Sequence, residues 1–567
     1  MAVVFVIYLF NVRDSKMAEE VPTVNLDDTG SQAASTSVAG SNRDSLNSLL
    51  NKPNDNKNCL KDCTLGTQYS MICDDVRKET KKRSFCCSTT SQTVWGVILI
   101  SLSISGFIFT PQDVMLWEKL NMRPGLPPYD WWSDPPDQVR MRMYVFNVTN
   151  HDRFLSGADD KINVEEIGPI VYLEKLLHYN ITFNDNGTMT YTAKRFLIYL
   201  PEENTINLNS TIIIPNLAVL GIASRIHNEN FFIRGGFSIM VRTHSAELFA
   251  KKTIYQFMWD NQESVLETTK ALAHNMVPTT NMGVLFSIYT DFTDDVTVKI
   301  GPQWGHHNFF KIDQYGRKLQ LKGYDLNTCP DTLTGSTEGV MYHQRLSKDD
   351  VLLYLRKSVC RAMPLSFDQE VIIDNVPVYR YNLSDHAFDR INGTDCYDSK
   401  PSLPNGFSDT SKCYDGLPMV ASYPHFYTGH PPKDTYVTGL IPDKEKHNSY
   451  VLVEPLTGTP FRAVARMQCN FQVQNLSAFS DPNFHKFSNL IIPLSWIEYS
   501  QEGLPWYIKY FIYFLVVILP PLSTLLLTGT LILGFYFVLK LIYRKKSVRR
   551  KFVSKVFETE KFLKVTN

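Results

Sequence analysis

The sequence predicts a mixed α+β membrane protein in which two transmembrane helices flank a large, mainly β ectodomain. Three observations lead to this fold class. Residues 510–539 contain no charged side chain, residues 94–109 form a second apolar stretch, and the chain between them alternates apolar and polar residues in several segments. A bilayer core requires roughly 20 apolar residues in a helix, and alternation is typical of half-buried strands.

The second span is predicted over residues 508–540. Backbone groups find no water in hydrocarbon, so this stretch must be helical, and Pro520 and Pro521 predict a kink. A buried helix of a soluble protein would be shorter and differently flanked. An aromatic belt lies at one end: Trp506, Tyr507 and Tyr510. At the other end, residues 540–567 carry ten Lys or Arg against two Glu, so 541–567 is predicted to be a basic cytoplasmic tail.

The first span is predicted over residues 89–110, with its basic flank on the N-terminal side (Arg77, Lys78, Lys81, Lys82 and Arg83). The N-terminus is therefore also placed in the cytoplasm, and residues 111–507 form the ectodomain. Cys86 and Cys87 lie at the cytoplasmic edge, where S-palmitoylation and an unmodified thiol pair are both open.

Residues 1–88 are predicted to be a mostly disordered cytoplasmic tail. Their Ser, Thr, Asn, Asp and Lys content cannot bury enough surface to offset chain entropy. The opening apolar run is too short to span and has no clear cleavage site, and Met1 and Met17 both remain as start sites. Cys59, Cys63 and Cys73 match no familiar zinc spacing, so reduced thiols are expected. The balanced total of 57 basic and 57 acidic residues gives no argument for nucleic acid.

Glycosylation sequons and cysteines support the same topology. Sequons occur only in the predicted ectodomain: Asn147, Asn180, Asn186, Asn209, Asn382, Asn392 and Asn475. Five cysteines also lie there, and disulfides are expected in an oxidising compartment: Cys329, Cys360, Cys396, Cys413 and Cys469.

Strands are predicted at 139–148, 172–183 and 188–200, with an Asn-Asp-Asn-Gly hairpin between the last two. The clearest strand is 463–473, whose apolar face includes Cys469, expected to be a buried free thiol. Helices are predicted at 216–226, 244–252, 253–259 (from a Thr-x-x-Gln capping box) and 347–360.

A resemblance to a known family runs from about Val94 to Tyr543, and six sequence motifs carry it. They are MYVFNVTNHDRFLSG (143–157), EIGPIVY (166–172), TIYQFMW (253–259), ASYPHFYTG (421–429), VEPLTGTPFRAVARMQCN (453–470) and IIPLSWIE (491–498). In this order the motifs resemble those of the class B scavenger receptor family, which includes sensory neuron membrane proteins and lysosomal integral membrane proteins. Ile170 stands where that family usually has Tyr, and only two of its three usual disulfides can be placed.

The resemblance implies an antiparallel β-barrel core, a helical apex bundle and an internal hydrophobic tunnel. It also implies the disulfides Cys329–Cys396 and Cys360–Cys413, which leaves Cys469 free. The apex segment would be residues 217–252, where basic side chains attract anionic ligands, although a solvated helix face explains the same charges. The basic residues concerned are Arg234, Arg242, His244, Lys251 and Lys252.

The function expected from this resemblance is a cell-surface receptor that binds lipids or lipoproteins. It would pass a fatty acid, sterol or carotenoid through the tunnel to the membrane. A two-span ligand-gated ion channel and a tethering or signalling receptor without lipid transfer remain alternatives. The plasma membrane is the expected location, with a lysosomal or endosomal membrane as the alternative, and a homo-oligomer is left open.

No enzyme is predicted, because the sequence has no HExxH, GxSxG or GxGxxG motif. No catalytic site, cofactor or metal is assigned. His306 and His307 are adjacent, so on a strand they would point to opposite faces and make a poor metal pair.

Overall fold

The computed structural model describes residues 91–565, except 137–138, 275–276, 278, 291–292, 322, 325–332, 390–402 and 415. Several predictions lie outside the described residues: the N-terminal tail, Cys86 and Cys87, the Cys329–Cys396 pair and Asn392.

The chain divides into two compact units. Among the described residues, one unit comprises residues 91–111 together with 521–565, and the other is Gln112–Pro520. Within the described residues, two helices are long and apolar enough to cross a membrane, Ser91–Ile108 and Trp506–Ser554. The predicted architecture of two membrane helices flanking a β-rich domain is therefore confirmed.

The described strands occur in this chain order: β1 Val139–Val148, β2 Ile162–Phe183, β3 Thr188–Tyr199, β4 Thr211–Pro215, β5 Phe249–Thr253, β6 Thr293–Lys299, β7 Ile312–Tyr315, β8 Ser336–Thr337, β9 Leu352–Arg356, β10 Arg361–Ile373, β11 Val376–Leu383, β12 Ser408–Asp409, β13 Met419–Ser422, β14 Val437–Thr438, β15 Tyr450–Glu454, β16 Thr459–Gln472 and β17 Ile491–Gln501.

The described helices are α1 Ser91–Ile108, α2 Pro111–Leu120, α3 Pro127–Ser133, α4 His151–Ser156, α5 Leu217–Arg225, α6 Phe231–Thr243, α7 Ile254–Trp259, α8 Ser264–Leu272, α9 Val284–Tyr289, α10 Lys444–His447, α11 Pro482–His485, α12 Trp506–Tyr513 and α13 Leu519–Val565.

One large sheet forms the core of the ectodomain. Its strand order is β7-β6-β3-β2-β1-β17-β16-β15-β11-β10-β9-β8, with β13 also pairing with β16. The sheet curls until distant strands meet through side chains: Arg356 on β9 bonds to Glu174 on β2, and Tyr191 on β3 bonds to Glu338 beyond β8. This nearly closed sheet, antiparallel except for the parallel pairs β8–β9 and β14–β2, matches the expected barrel.

Helices α5 to α9 pack beside the sheet. Leu217, Val219 and Leu220 of α5 are buried in the same apolar core as Ile497 of β17. The predicted capping box is present at α7, where Thr253 accepts from the Gln256 N–H and the Gln256 side chain accepts from the Thr253 N–H.

The second span contains an irregularity where the kink was predicted. Helix α12 passes into a π-helical turn, Phe514–Ile518, immediately before α13. Pro520 and Pro521 have no N–H to donate to the carbonyls of Val516 and Val517, which lie in this turn. The missing donors explain why the regular helix is interrupted there.

Two predicted helices are wrong. Residues 244–252 form a turn and then β5, which pairs with β4, so the helical part of the apex segment ends at Thr243. Residues 347–360 contain β9 and a 3₁₀ turn, Lys357–Val359. The Asp350 carboxylate accepts from the Ser347 N–H at 2.6 Å and closes a turn, and pairing of β9 with β10 overrides the local helix signal.

Candidate ligand-binding cavity and apex surface

An apolar cavity lies between the sheet and helices α5 and α9. The space between its walls is about 690 Å³, counting the part open to solvent. Its lining is Leu217, Met282, Val284, Ser287, Ile288, Ser358, Thr410, Tyr414, Leu417, Met419, Val420, Ala421, Met467, Gln468, Cys469 and Ile497. A mainly apolar lining with a few polar groups is typical of small-ligand sites.

Strand register explains why apolar side chains meet on this wall. Ala421 of β13 lies opposite Cys469 of β16, and Met467 of β16 lies opposite Ile497 of β17. Side chains at directly paired positions share one face of a sheet. The alternation recognised in the sequence of β16 therefore supplies one side of the cavity.

Cys469 was expected to be a buried free thiol, and it is a free cysteine in the structure. Its side chain is half-buried, and it borders the cavity. Burial raises the pKa of its thiol to about 12. The sulfur therefore stays protonated and behaves as a small apolar group.

A disulfide joins two stretches of the cavity wall. Cys360 is bonded to Cys413, and their neighbours Ser358 and Tyr414 both line the cavity. The Tyr414 hydroxyl donates to the Ser358 carbonyl at 2.8 Å, and burial raises the pKa of this phenol well above its ordinary value. This pairing keeps the hydroxyl of Tyr414 neutral and bonded at a mainly apolar wall.

A buried ionic cluster lies next to Tyr414. Glu174 accepts from Arg195 and Arg356, at 3.1 Å each, and from Tyr289 at 3.2 Å. The Arg356 guanidinium also lies 3.8 Å from the ring centre of Tyr499. Burial alone would raise the pKa of Glu174, but the two guanidinium groups hold it below its ordinary value. The barrel interior is thus polar at this level and apolar at the cavity.

Two polar residues of β16 are buried. Gln468 and Asn470 alternate with its apolar residues, a pattern typical of the solvent-facing side of a strand, but both are fully buried, and Gln468 lines the cavity. Gln468 accepts from the His425 N–H at 2.8 Å and donates to Asn470, which donates to Ser422 at 2.9 Å. These amides are satisfied internally, so polarity did not indicate exposure here.

The predicted basic residues of the apex segment fall into two groups. Arg242, His244 and Lys251 are exposed. Arg234 donates to the Ala478 carbonyl at 3.2 Å and to that of Glu229, while Lys252 forms an ion pair with Glu263 at 2.7 Å. The last two therefore hold the local structure together, which makes them weaker candidates for ligand capture.

The apex segment also carries an exposed apolar surface that was not predicted from the sequence. Phe231 and Phe232 on α6 are 64% and 84% exposed, and Ile239 is 66% exposed. The helix begins with the apolar sequence FFIRGGFSIM (231–240), and only Phe237 and Val241 of α6 are buried. Several of its apolar side chains are therefore exposed to solvent. Large exposed aromatic groups of this kind mark interaction surfaces.

The predicted glycosylation sites differ in accessibility. Asn180, Asn186, Asn209 and Asn475 are exposed, whereas Asn147 and Asn382 are half-buried. Asn147 accepts from the Ile213 N–H at 2.8 Å, and Asn382 accepts from Arg380 at 2.9 Å. The four exposed positions are the stronger candidates.

Comparison with known proteins gives matches over the spans and the ectodomain. Residues 94–545 match the family model of the CD36 family. The chain is 28% identical over 426 residues to lysosome membrane protein 2 of Rattus norvegicus, covering 73% of this chain and 86% of that relative. For the same protein of Homo sapiens the values are 27% over 432 residues, 73% and 86%. Scavenger receptor class B member 1 of Rattus norvegicus is 26% identical over 416 residues, covering 72% and 79%.

Proposed function

The chain belongs to the CD36 family, as its motifs indicated, and from this premise we propose that it is a membrane receptor for lipids or lipoproteins. The relatives reported above are named as a scavenger receptor and a lysosome membrane protein. The receptor would take one hydrophobic cargo molecule into the ectodomain cavity and pass it towards the bilayer, with both termini in the cytoplasm.

The cavity is the observation that carries this proposal. An apolar cargo gains about 0.8 kcal/mol for each buried methylene, so an apolar cavity holds a lipid without any chemical step. Its lining combines Met, Leu, Ile and Val with the hydroxyls of Tyr414, Thr410 and Ser287. A lipid with an apolar body and a small polar group, such as a fatty acid, a sterol or a hydroxylated carotenoid, fits this combination.

Two locations are consistent with the relatives' names. A scavenger receptor would work at the plasma membrane, and a lysosome membrane protein in lysosomes or endosomes. We place this chain at the plasma membrane, with the lysosomal or endosomal membrane as the alternative.

The ion-channel alternative gains no support from the described spans. Hydroxyl groups of the spans are bonded within the helix pair: Ser103 with Thr530 at 2.7 Å, and Thr528 with the Thr524 carbonyl at 2.7 Å. These contacts favour a packed anchor over a polar pore lining.

The proposal is tested by filling the cavity. Ala421→Phe and Cys469→Phe should each place a ring in the cavity from neighbouring strands of one wall, and transfer of a fluorescent lipid to the membrane should fall at least about tenfold. Ala421→Leu should give a smaller loss. Leu272→Trp is the matched control, because Leu272 is 79% exposed on α8 and an added ring there stays in solvent.

Surface binding of lipid particles and the melting temperature are measured in parallel, so that unfolded variants are set aside. Loss of transfer with binding retained supports the proposal. Wild-type transfer by a folded Ala421→Phe variant would contradict it, and a tethering or signalling receptor would then be the better function.

A further inference from the structure

A group of metal-ligating side chains lies in the ectodomain, separate from the cavity. His307, His343 and Asp350 come from three segments of the chain, and their ligand atoms all lie within 4.8 Å of one another. His343 is buried, Asp350 is partly exposed and His307 is exposed. Two imidazoles and one carboxylate form a common ligand set for zinc.

The hydrogen bonds of His343 leave the correct nitrogen free. Its Nδ1 lies 3.2 Å from the Gln344 carbonyl, which can only accept, so Nδ1 carries the proton. Its Nε2 then has a lone pair, and this atom lies 3.8 Å from Asp350 Oδ2. Metal-bound histidines usually donate their other ring N–H in this way, to a carbonyl or a carboxylate.

The segment that carries His307 is fixed against the segment that carries His343. His306 Nδ1 and Gln344 Oε1 are 2.6 Å apart, and the Gln344 N–H donates to the His306 carbonyl at 3.2 Å. Gln344 is fully buried and its amide also donates to the Leu116 carbonyl at 3.2 Å. The His307 and His343 rings consequently sit 5.5 Å apart between their centres.

We propose that His307, His343 and Asp350 bind one divalent transition-metal ion, with zinc as the natural occupant. Ligand atoms about 2.1 Å from a tetrahedral zinc ion lie roughly 3.4 Å from one another. The separations therefore need to close by at most about 1.4 Å, through a rotation of the exposed His307 side chain and a smaller shift of about 0.4 Å between His343 and Asp350. This site does not depend on the lipid-transfer function proposed above.

The arrangement also predicts the form of the site. Three protein ligands leave one tetrahedral position open, and the exposure of His307 places that position at the surface. His306 is not part of this group of ligand atoms, and its Nδ1 lies 2.6 Å from Gln344 Oε1. Lys311 interacts electrostatically with both Asp350 and His343, and its positive charge opposes the ion.

The test uses the full-length protein in detergent, without a polyhistidine tag, after treatment with a chelator. Cobalt(II) is titrated as the probe because its visible absorption bands report tetrahedral coordination, and zinc is then added as competitor. His307→Asn and Asp350→Asn should weaken cobalt binding by at least about tenfold. Lys311→Gln should strengthen it.

His386→Asn is the matched control, since His386 pairs with Asp389 at 2.7 Å in a two-residue pair outside the group. One equivalent of tetrahedral cobalt, lost in His307→Asn and retained in His386→Asn, supports the site. Since His307 is exposed, its variant should keep the wild-type melting temperature. Failure of the wild type to bind one equivalent, unchanged binding by both ligand variants, or no gain in Lys311→Gln would overturn the proposal.

Discussion

At the scale of single residues, two buried histidines are held neutral by their surroundings. Burial lowers the pKa of His178 to about 3, and burial together with the adjacent His425 lowers the pKa of His447 to about 4. His178 stacks on Trp132 with 4.4 Å between ring centres, and its Nδ1 lies 2.7 Å from the Trp132 carbonyl. His447 stacks on His425 at 4.6 Å, and its Nδ1 accepts from the Asp443 N–H.

These shifts predict a loss of stability in acid. An unfolded histidine takes up a proton near pH 6.5, whereas these two resist it until about pH 3 to 4. Their contribution is therefore complete above pH 6.5 and is lost as the pH falls towards 4. The slope is up to about 1.4 kcal/mol per pH unit for each histidine.

The pH effect is checked by melting temperatures between pH 7.5 and 4.5. His447→Asn keeps an acceptor for the Asp443 N–H but cannot titrate, so its melting temperature should fall less in acid than that of the wild type. The exposed His386→Asn variant should follow the wild-type curve. Parallel curves for His447→Asn and wild type would show that His447 does not titrate with unfolding.

The sequence predicts the burial of some single residues and not of others. Cys469 could be placed on an apolar face because alternation in β16 reports which side chains share a face. The burial of Gln468, Asn470 and Glu174 could not be predicted, because their partners come from segments far away in sequence. The same is true of His307, whose neighbours are 36 and 43 residues away.

At the scale of elements, the two membrane helices pack through small residues. A Cβ added to Gly96 would lie 3.0 Å from the Gly534 carbonyl, and one added to Gly534 would lie 2.8 Å from Ile100. Ser103 and Thr530 share a hydrogen bond at 2.7 Å in the same interface. Close backbone approach and a polar contact are the interactions that associate helices in lipid, where the hydrophobic effect is absent.

Gly534→Leu should separate the helices and cost roughly 1–2 kcal/mol of their association. Gly529→Leu on the same helix is the control, because a Cβ there meets nothing within 4 Å. The readout is oxidative cross-linking in membranes of the Ser103→Cys, Thr530→Cys double variant. The double-cysteine variant should cross-link efficiently by itself and when Gly529→Leu is added, and weakly when Gly534→Leu is added. Equal cross-linking in all three would mean that the glycines do not set the helix contact.

Element types were predictable where one pattern dominated. The spans follow from continuous hydrophobicity, and β1, β3 and β16 follow from strand composition and alternation. Helices are predicted at 244–252 and 347–360 because the local sequence of both segments is compatible with a helix. Their pairing with β4 and β10 is a tertiary contact, and such contacts override local propensity.

At the scale of the whole molecule, the structure separates the surfaces that would perform capture from the cavity that would hold cargo. Arg242 and Lys251 offer exposed charge, and Phe231 and Phe232 offer exposed aromatic area, all within the apex segment. None of these four residues lines the cavity. Variants at these four positions can therefore be made without changing the cavity wall.

The charged part of capture should depend on salt. The double variant Arg242→Gln, Lys251→Gln should bind anionic lipid vesicles several-fold more slowly at low ionic strength, because exposed charges act over a range of about 8 Å at physiological salt and less above it. At high salt it should match the wild type. Lys175→Gln, Lys194→Gln removes the same charge from exposed positions on β2 and β3 and serves as the control. An equal loss in the control would show a net-charge effect, with no role for the apex segment.

The aromatic part of capture should not depend on salt. Phe231→Ser, Phe232→Ser removes apolar area that is already in solvent, so it should leave the melting temperature unchanged while it weakens vesicle binding equally at low and high ionic strength. Neither double variant should slow transfer of a neutral lipid supplied as free monomer, because that step would use only the cavity. If the Phe variant bound vesicles as the wild type does, capture would be electrostatic alone. If either variant also abolished monomer transfer, capture and delivery would be one step, and the cavity would have to be reached through the apex segment.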